Sequence, residues 1–309
     1  MTADDEAGRP TVGAAQHPMV IAALARMGGS GGWARILAGL PVEDPLDRAD
    51  TDLLVAAGVL RRDGERLVLQ RAGSHYLDPD ALSRAMTAEL QQALGHARGE
   101  AAGWNGDDLD LVRNQGRGSA AAADLIADGF LPGMPRAAEA LASGAGRFLD
   151  VGTGVAAIAS RMCELFPGLT CVGLDVLPQA LALASEELAV SGMADRVELR
   201  LQSVADLDDT EEFDLAWVPQ LFIPPDAFTA GLKRVHAAMR PGGGLIVPTL
   251  APPDGAEPMA RAVLVHSGYV LGGGPVTRHE MRTLLSGIGF TDVEEHAHGH
   301  RTLLTAIRP

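Results

Sequence analysis

Three observations predict a mixed α/β fold, with a largely parallel sheet in the second half of the chain and a mainly helical first half. Several short apolar strands end in an acid or a small polar residue and run into segments of helical spacing, the pattern of a doubly wound sheet. One of them, Arg147-Phe148-Leu149-Asp150-Val151, turns through Gly152-Thr153-Gly154 into a helix. The first half shows apolar residues at helical spacing and then a hairpin signal at Asp63-Gly64.

Taken in order, residues 1–16 are polar, acidic and glycine-containing, and are expected to stay disordered. Apolar spacing predicts helices over Met19–Met27, Trp33–Leu40 and Asp50–Ala57, separated by the glycine-rich break 28–32 and ended by Gly58. Val59 to Leu69 then reads as a hairpin. Three helices and a hairpin make residues 17–80 a winged-helix-like domain. Residues 81–145 read as a helical linker region, interrupted at Gln115-Gly116-Arg117-Gly118-Ser119, where a new helix start would offer Arg117 or Ser119 to an anion. From residue 146 to 309 the strands follow one another: 147–151, Thr170–Asp175, 197–204, Phe213–Pro219, Leu245–Val247, a sixth strand leading to a turn at Gly299, and Thr302–Ile307 as an antiparallel seventh. Met239-Arg240-Pro241-Gly242-Gly243-Gly244 is expected to stop a helix before the fifth of these.

Composition narrows the function. The chain of 309 residues is 47% hydrophobic, enough for two cores, and carries a formal net charge of −15. That charge argues against nucleic acid or an anionic membrane as partner. Arg61, Arg62, Arg66 and Arg71 cluster at the hairpin and leave a DNA-binding metabolite sensor as an alternative, opposed by Glu43, Asp44, Asp47, Asp50 and Asp52 beside it. No apolar run approaches the roughly 20 residues that span a bilayer. The acidic start and the two unpatterned cysteines, Cys163 and Cys171, suit a cytoplasmic protein with reduced thiols. A small molecule is the expected partner.

The glycine turn is the most informative motif. Glycines at 152 and 154 permit a left-handed backbone and close approach to a ligand, and the following helix presents unpaired N–H groups. Spacing alone admits a dinucleotide, since Gly152, Gly154 and Ala157 fit G-x-G-x-x-A. Charge separates the two cofactors: Asp150 would repel a pyrophosphate but suits the ammonium of S-adenosylmethionine. About 20 residues on, Asp175 ends an apolar strand where a carboxylate can accept ribose hydroxyls.

The segment around Asp150, Gly152 and Gly154 resembles motif I of the class I S-adenosylmethionine-dependent methyltransferases, with Ala156 where a third glycine usually stands. The later strands follow the same order. The resemblance implies a Rossmann-like, seven-stranded sheet and S-adenosyl-L-methionine as cofactor, held by Asp150, Gly152, Gly154, Asp175, Val176, Ala205, Asp206 and Pro219, with Asp206 meeting the adenine amine. In architecture it resembles small-molecule O-methyltransferases of secondary metabolism, which often carry an N-terminal winged-helix-like domain used to form a homodimer and one wall of the substrate pocket.

The sequence departs from that family at the base. A catalytic histidine commonly follows the fourth strand there, whereas this chain has Trp217-Val218-Pro219-Gln220-Leu221-Phe222. His266 and the group His296, His298, His300 are the candidate replacements. His266 with His296 would also serve a metal-assisted C-methylation of an α-keto acid, against the reading that no metal is bound. A third alternative binds the cofactor without transferring methyl and drives a decarboxylation or cyclisation.

Overall fold

A computed structural model describes residues 18–64, 66–69, 79–100, 103–104, 108–298 and 301–309. The tail 1–16 and Arg71 lie outside the described residues, as do Gly299 and His300. The chain opens with α1 (Pro18–Gly29), α2 (Gly32–Leu37), α3 (Pro45–Ala56) and the antiparallel hairpin β1 (Leu60–Asp63) and β2 (Arg66–Leu69). Leu24, Met27, Trp33, Ile36, Leu54 and Leu60 close a small core between them. Helix α3 begins five residues earlier than its apolar spacing suggests. Asp44 caps it by accepting from the Leu46 and Asp47 N–H groups, with Pro45 preset at the first helical position.

Two further helices follow, α4 (Pro79–Ala97) and α5 (Leu109–Ser119), then the short α6 (Ala121–Leu125), a wide turn over 126–133 and α7 (Pro135–Ala142). Ser83 fastens α4 to the first core: its hydroxyl accepts from the Trp33 indole and donates to the Leu24 carbonyl, both at 2.6 Å. The expected break at 115–119 is absent. Helix α5 runs through both glycines and ends only at Ala120, because Gly116 and Gly118 serve close packing. A Cβ at Gly118 would stand 3.0 Å from the Ala85 backbone nitrogen, and one at Gly116 2.5 Å from Val155 Cγ2. Arg117 pairs with the Glu187 carboxylate.

The sheet comprises β3 (Arg147–Val151), β4 (Thr170–Asp175), β5 (Val197–Leu201), β6 (Phe213–Trp217), β7 (Met239–Pro248), β8 (Thr291–His298) and β9 (Arg301–Ile307). Their spatial order is β5-β4-β3-β6-β7-β9-β8, parallel except for β9, which runs antiparallel between β7 and β8. Helices α8 (Ala157–Leu165), α9 (Pro178–Ser191), α10 (Pro225–Ala238), α11 (Pro258–Leu271) and α12 (Arg278–Ile288) complete the fold. Alternation divides two cores across the sheet. Phe148, Leu215 and Ile246 face α6 to α8, while Leu149, Ala216 and Leu245 face α10 and α12.

Two boundaries differ from expectation. The glycine run 242–244 does not stop a helix: α10 has already ended at Ala238, and the run lies inside β7, whose pairing with β6 shifts register there. Strand β5 ends at Leu201, and residues 204–206 form a separate tight turn. Among the described residues no helix is long and apolar enough to cross a membrane.

Candidate functional site

The chain passes from β3 to β4 and β5 on one side, then crosses back to β6 on the other. The carboxyl ends of β3 and β6 therefore flank a topological switch point, where open α/β sheets bind ligands. A cavity of about 550 Å³ opens there, roofed by α5, α6 and the segment 221–224.

Its floor is the turn after β3. Gly152 and Gly154 take φ of 67° and 56°, a conformation costly for residues bearing a Cβ. A Cβ at Gly154 would meet nothing within 4 Å, and one at Gly152 only Pro219 Cγ at 3.8 Å, so both glycines face open space. Ala156, in the position of the missing third glycine, also sits in the left-handed region at φ 58° and is fully buried. The family's preference for glycine there thus has a backbone reason, and this chain holds an alanine in it at a cost of order 1 kcal/mol.

Asp175 is held rigidly at the end of β4. Its Oδ2 accepts from the Gly154 N–H and its Oδ1 from the Leu177 N–H, each at 2.9 Å. Burial pushes its pKa upward, against the pull of those two N–H groups. The carboxylate lines the cavity and keeps lone pairs free for further donors. Val176 and Pro219 line it too, Val176 exposed at its rim.

Asp150 occupies a different place from the one its charge suggests. It is 1% exposed and does not line the cavity; Thr153 stands between, donating its hydroxyl to Asp150 Oδ2 at 2.7 Å. The other oxygen, Oδ1, is buried without a partner. Burial, opposed by the Thr153 hydroxyl and reinforced by the Asp175 charge, pushes its pKa up to about 7.

Beyond β5 the structure departs again from expectation. Asp206 is exposed, and neither it nor Ala205 lines the cavity; Gln202, Ser203 and Val204 do. The strand ends five residues before Asp206, and the intervening turn carries that side chain away. Ser203, whose Oγ caps the turn by accepting from the Ala205 N–H at 3.2 Å, takes the polar position instead. Counting from the strand end, rather than seeking the nearest acid, finds it.

The histidines stand outside the cavity. His266 on α11 meets His96 on α4, Nε2 to Nε2 at 3.2 Å, at an exposed position. His296 bonds Thr305 Oγ1 at 2.8 Å and packs on the Phe130 ring. With separate partners, they do not share a metal-binding geometry, and among the described residues no three metal-ligating side chains gather. Nothing is described of the His298 side chain. Thr153, Trp104, Phe222 and Ser203 are cavity residues that sequence reasoning missed. Thr153 carried a signal, as the polar residue between two glycines, and Gly173 opposite it is bare because a Cβ would crowd its hydroxyl at 2.8 Å.

The same stretch that builds this floor matches a family model described as a methyltransferase domain, over residues 148–243. These residues carry the pattern of a methyltransferase domain. The chain spans about half the length of the curated relatives it matches. One, a release factor glutamine methyltransferase of Cereibacter sphaeroides, is 31% identical over 133 residues, 35% of this chain and 48% of that protein. An erythromycin 3''-O-methyltransferase of Saccharopolyspora erythraea is 29% identical over 155 residues, 47% of this chain and 51% of its own length. The structure of human N-acetylserotonin methyltransferase with SAM matches across 100% of this chain and 99% of its own, with TM-score 0.56 at 16% identity. That last likeness of fold takes in the helical first half as well.

Proposed function

We propose that this chain transfers a methyl group from S-adenosylmethionine to a small molecule. The observation that carries the reading is the floor of the cavity: a buried strand-end carboxylate clamped by two backbone N–H groups beside two glycines that leave the ligand's space empty. The residues present fit the cofactor. Asp175 would take the ribose hydroxyls, Val176 and Val204 the faces of the adenine, Ser203 its polar edge, and the Gly152–Gly154 backbone the amino acid end. The orphaned Asp150 Oδ1 is an acceptor awaiting a donor, and an ammonium reaching it past Thr153 would supply one.

When bound, the cofactor supplies an electrophilic methyl on a positively charged sulfur. The protein's part is alignment and exclusion of water. Pro219 and the segment 221–224 follow β6 at the mouth, while Gln115 and Ser119 on α5 approach from above. Secondary metabolism as the setting is supported by the erythromycin enzyme among the relatives. Residues 17–80 as a dimerising domain, with a cytoplasmic homodimer as the assembly, belong to the same proposal; exposed Met19, Leu40 and Leu46 offer apolar surface for it. The hairpin arginines give a DNA-binding reading little support, since Arg62 pairs with Asp52 and Arg61 with Asp63.

Calorimetry with S-adenosylmethionine tests the proposal, followed by mass spectrometry for S-adenosylhomocysteine during turnover of extract metabolites. Binding with accumulation of the demethylated cofactor supports it. Binding of NAD and not of S-adenosylmethionine sinks it.

A further inference from the structure

The acceptor side of the cavity is built unlike the cofactor side. By strand order, everything from β6 onward lies across β3 from Asp175, and that side presents Trp217, Phe222, Ile223, Pro248 and Leu303. Trp104 stands edge-on to Phe222, ring centroids 5.5 Å apart at 88°. Such walls favour a flat ring.

Among the described residues, the only ionisable side chain lining the cavity is Asp175, whose oxygens are engaged with Gly154 and Leu177. No arginine, lysine or histidine joins it there. The polar side chain after β6, Gln220, is 1% exposed, and its amide donates to the Gly273 carbonyl at 2.7 Å. It staples the loop after α11 to the mouth and takes no part in the lining. A neutral hydroxyl entering this site would find no described side chain to take its proton.

Resting on the methyl-transfer reading, we propose that the acceptor is a flat, ring-bearing molecule whose nucleophilic oxygen is already ionised at neutral pH, a hydroxyl conjugated to a carbonyl. The acceptor oxygen's electron pair forms the O–CH₃ bond while the S–CH₃ pair returns to sulfur. One negative and one positive charge vanish together, so no proton is left over and no base is required. An anion in so apolar a crevice needs a counter-charge, and the cofactor's positive centre is the one at hand. Acceptor binding is therefore electrostatically tied to a positively charged cofactor.

The test compares two bicyclic probes of similar size: 2-hydroxy-1,4-naphthoquinone, ionised at neutral pH, and 1-naphthol, which is not. Calorimetry measures each on protein saturated with sinefungin, which carries an ammonium near the sulfonium position, and on protein saturated with neutral S-adenosylhomocysteine. The quinone should bind at least about tenfold tighter to the sinefungin complex, with little difference for naphthol. With S-adenosylmethionine the quinone should be methylated at a rate flat between pH 6 and about 9, and naphthol only as pH rises, about tenfold per unit. Placing a base at the mouth by Phe222→His should give naphthol methylation a plateau near neutrality. Equal quinone affinity in the two complexes overturns the proposal, and so does efficient naphthol methylation at pH 7 by the wild type. If neither cofactor analogue binds, the methyl-transfer reading itself has failed; if both bind and the quinone does not, only the acceptor inference has.

Discussion

The two sides of the cavity were made in different ways. The cofactor side is assembled from residues close to one another in sequence: Gly152, Thr153 and Gly154 in one turn, Asp175 and Val176 at the next strand end, Gln202 to Val204 at the one after. The acceptor side collects Trp104, Leu125, Phe222 and Leu303 from four distant elements. A site whose ligand is fixed can be written as a short local motif, because backbone geometry does most of the recognition. A site whose ligand varies between relatives is drawn from wherever the fold brings side chains together, and it carries no spacing to read.

That contrast can be broken at several points. The largest effect is expected from Gly152→Val, since a β-branched residue at φ 67° is strained and its methyls would fill the ligand's space beside Pro219. Calorimetry should show cofactor affinity reduced beyond about 100-fold, with circular dichroism confirming a folded chain. Affinity within a few-fold of wild type would remove the cradle from the argument.

Asp175→Ala should follow, weakening the cofactor by about 10- to 100-fold, because charged hydrogen bonds contribute roughly 1.5–3 kcal/mol and two N–H groups lose their acceptor. Acceptor-side binding should change less.

Asp150 links affinity to pH. Its folded pKa of about 7 lies above the unfolded 3.8, so the protonated folded state is favoured. The associated stability is fully present below pH 3.8 and is lost as pH rises through about 7, at most about 4 kcal/mol by linkage. Asp150→Asn should thus raise the Tm of the cofactor-free protein at pH 8, with the gap closing toward pH 5. The same change should weaken the cofactor about tenfold at pH 8, where wild-type affinity is highest because the carboxylate is ionised. A Tm difference independent of pH would show that Asp150 does not titrate in this range.

The smallest effect separates the two residues beyond β5. Ser203→Ala should lower cofactor affinity several-fold, whereas Asp206→Ala should leave it within about twofold, since the acid is exposed and off the cavity. The reverse ranking would restore Asp206 to the site.

The sequence by itself determined the order of strands along the chain, the glycine turn, the strand-end acid Asp175 and the hairpin at Asp63-Gly64, because each is a local pattern with a local physical cause: short apolar runs that a sheet covered on both faces can bury, a left-handed backbone, a strand end at the carboxyl edge of a sheet. It misread what depends on contact between distant segments. Gly116 and Gly118 looked like a break in a helix and proved to be places where Val155 and Ala85 press against it. Asp150 looked like a charge in open contact with a ligand, whereas the packing of β3 between β4 and β6 buried it, set Thr153 between it and the cavity and raised its pKa, so that it titrates instead of standing as a fixed charge. His266 looked like a partner for His296, and the tertiary structure set it against His96 instead. Burial and proximity are properties of the assembled layers, so only the tertiary structure decided which polar side chains face the cavity and which are sealed away from it.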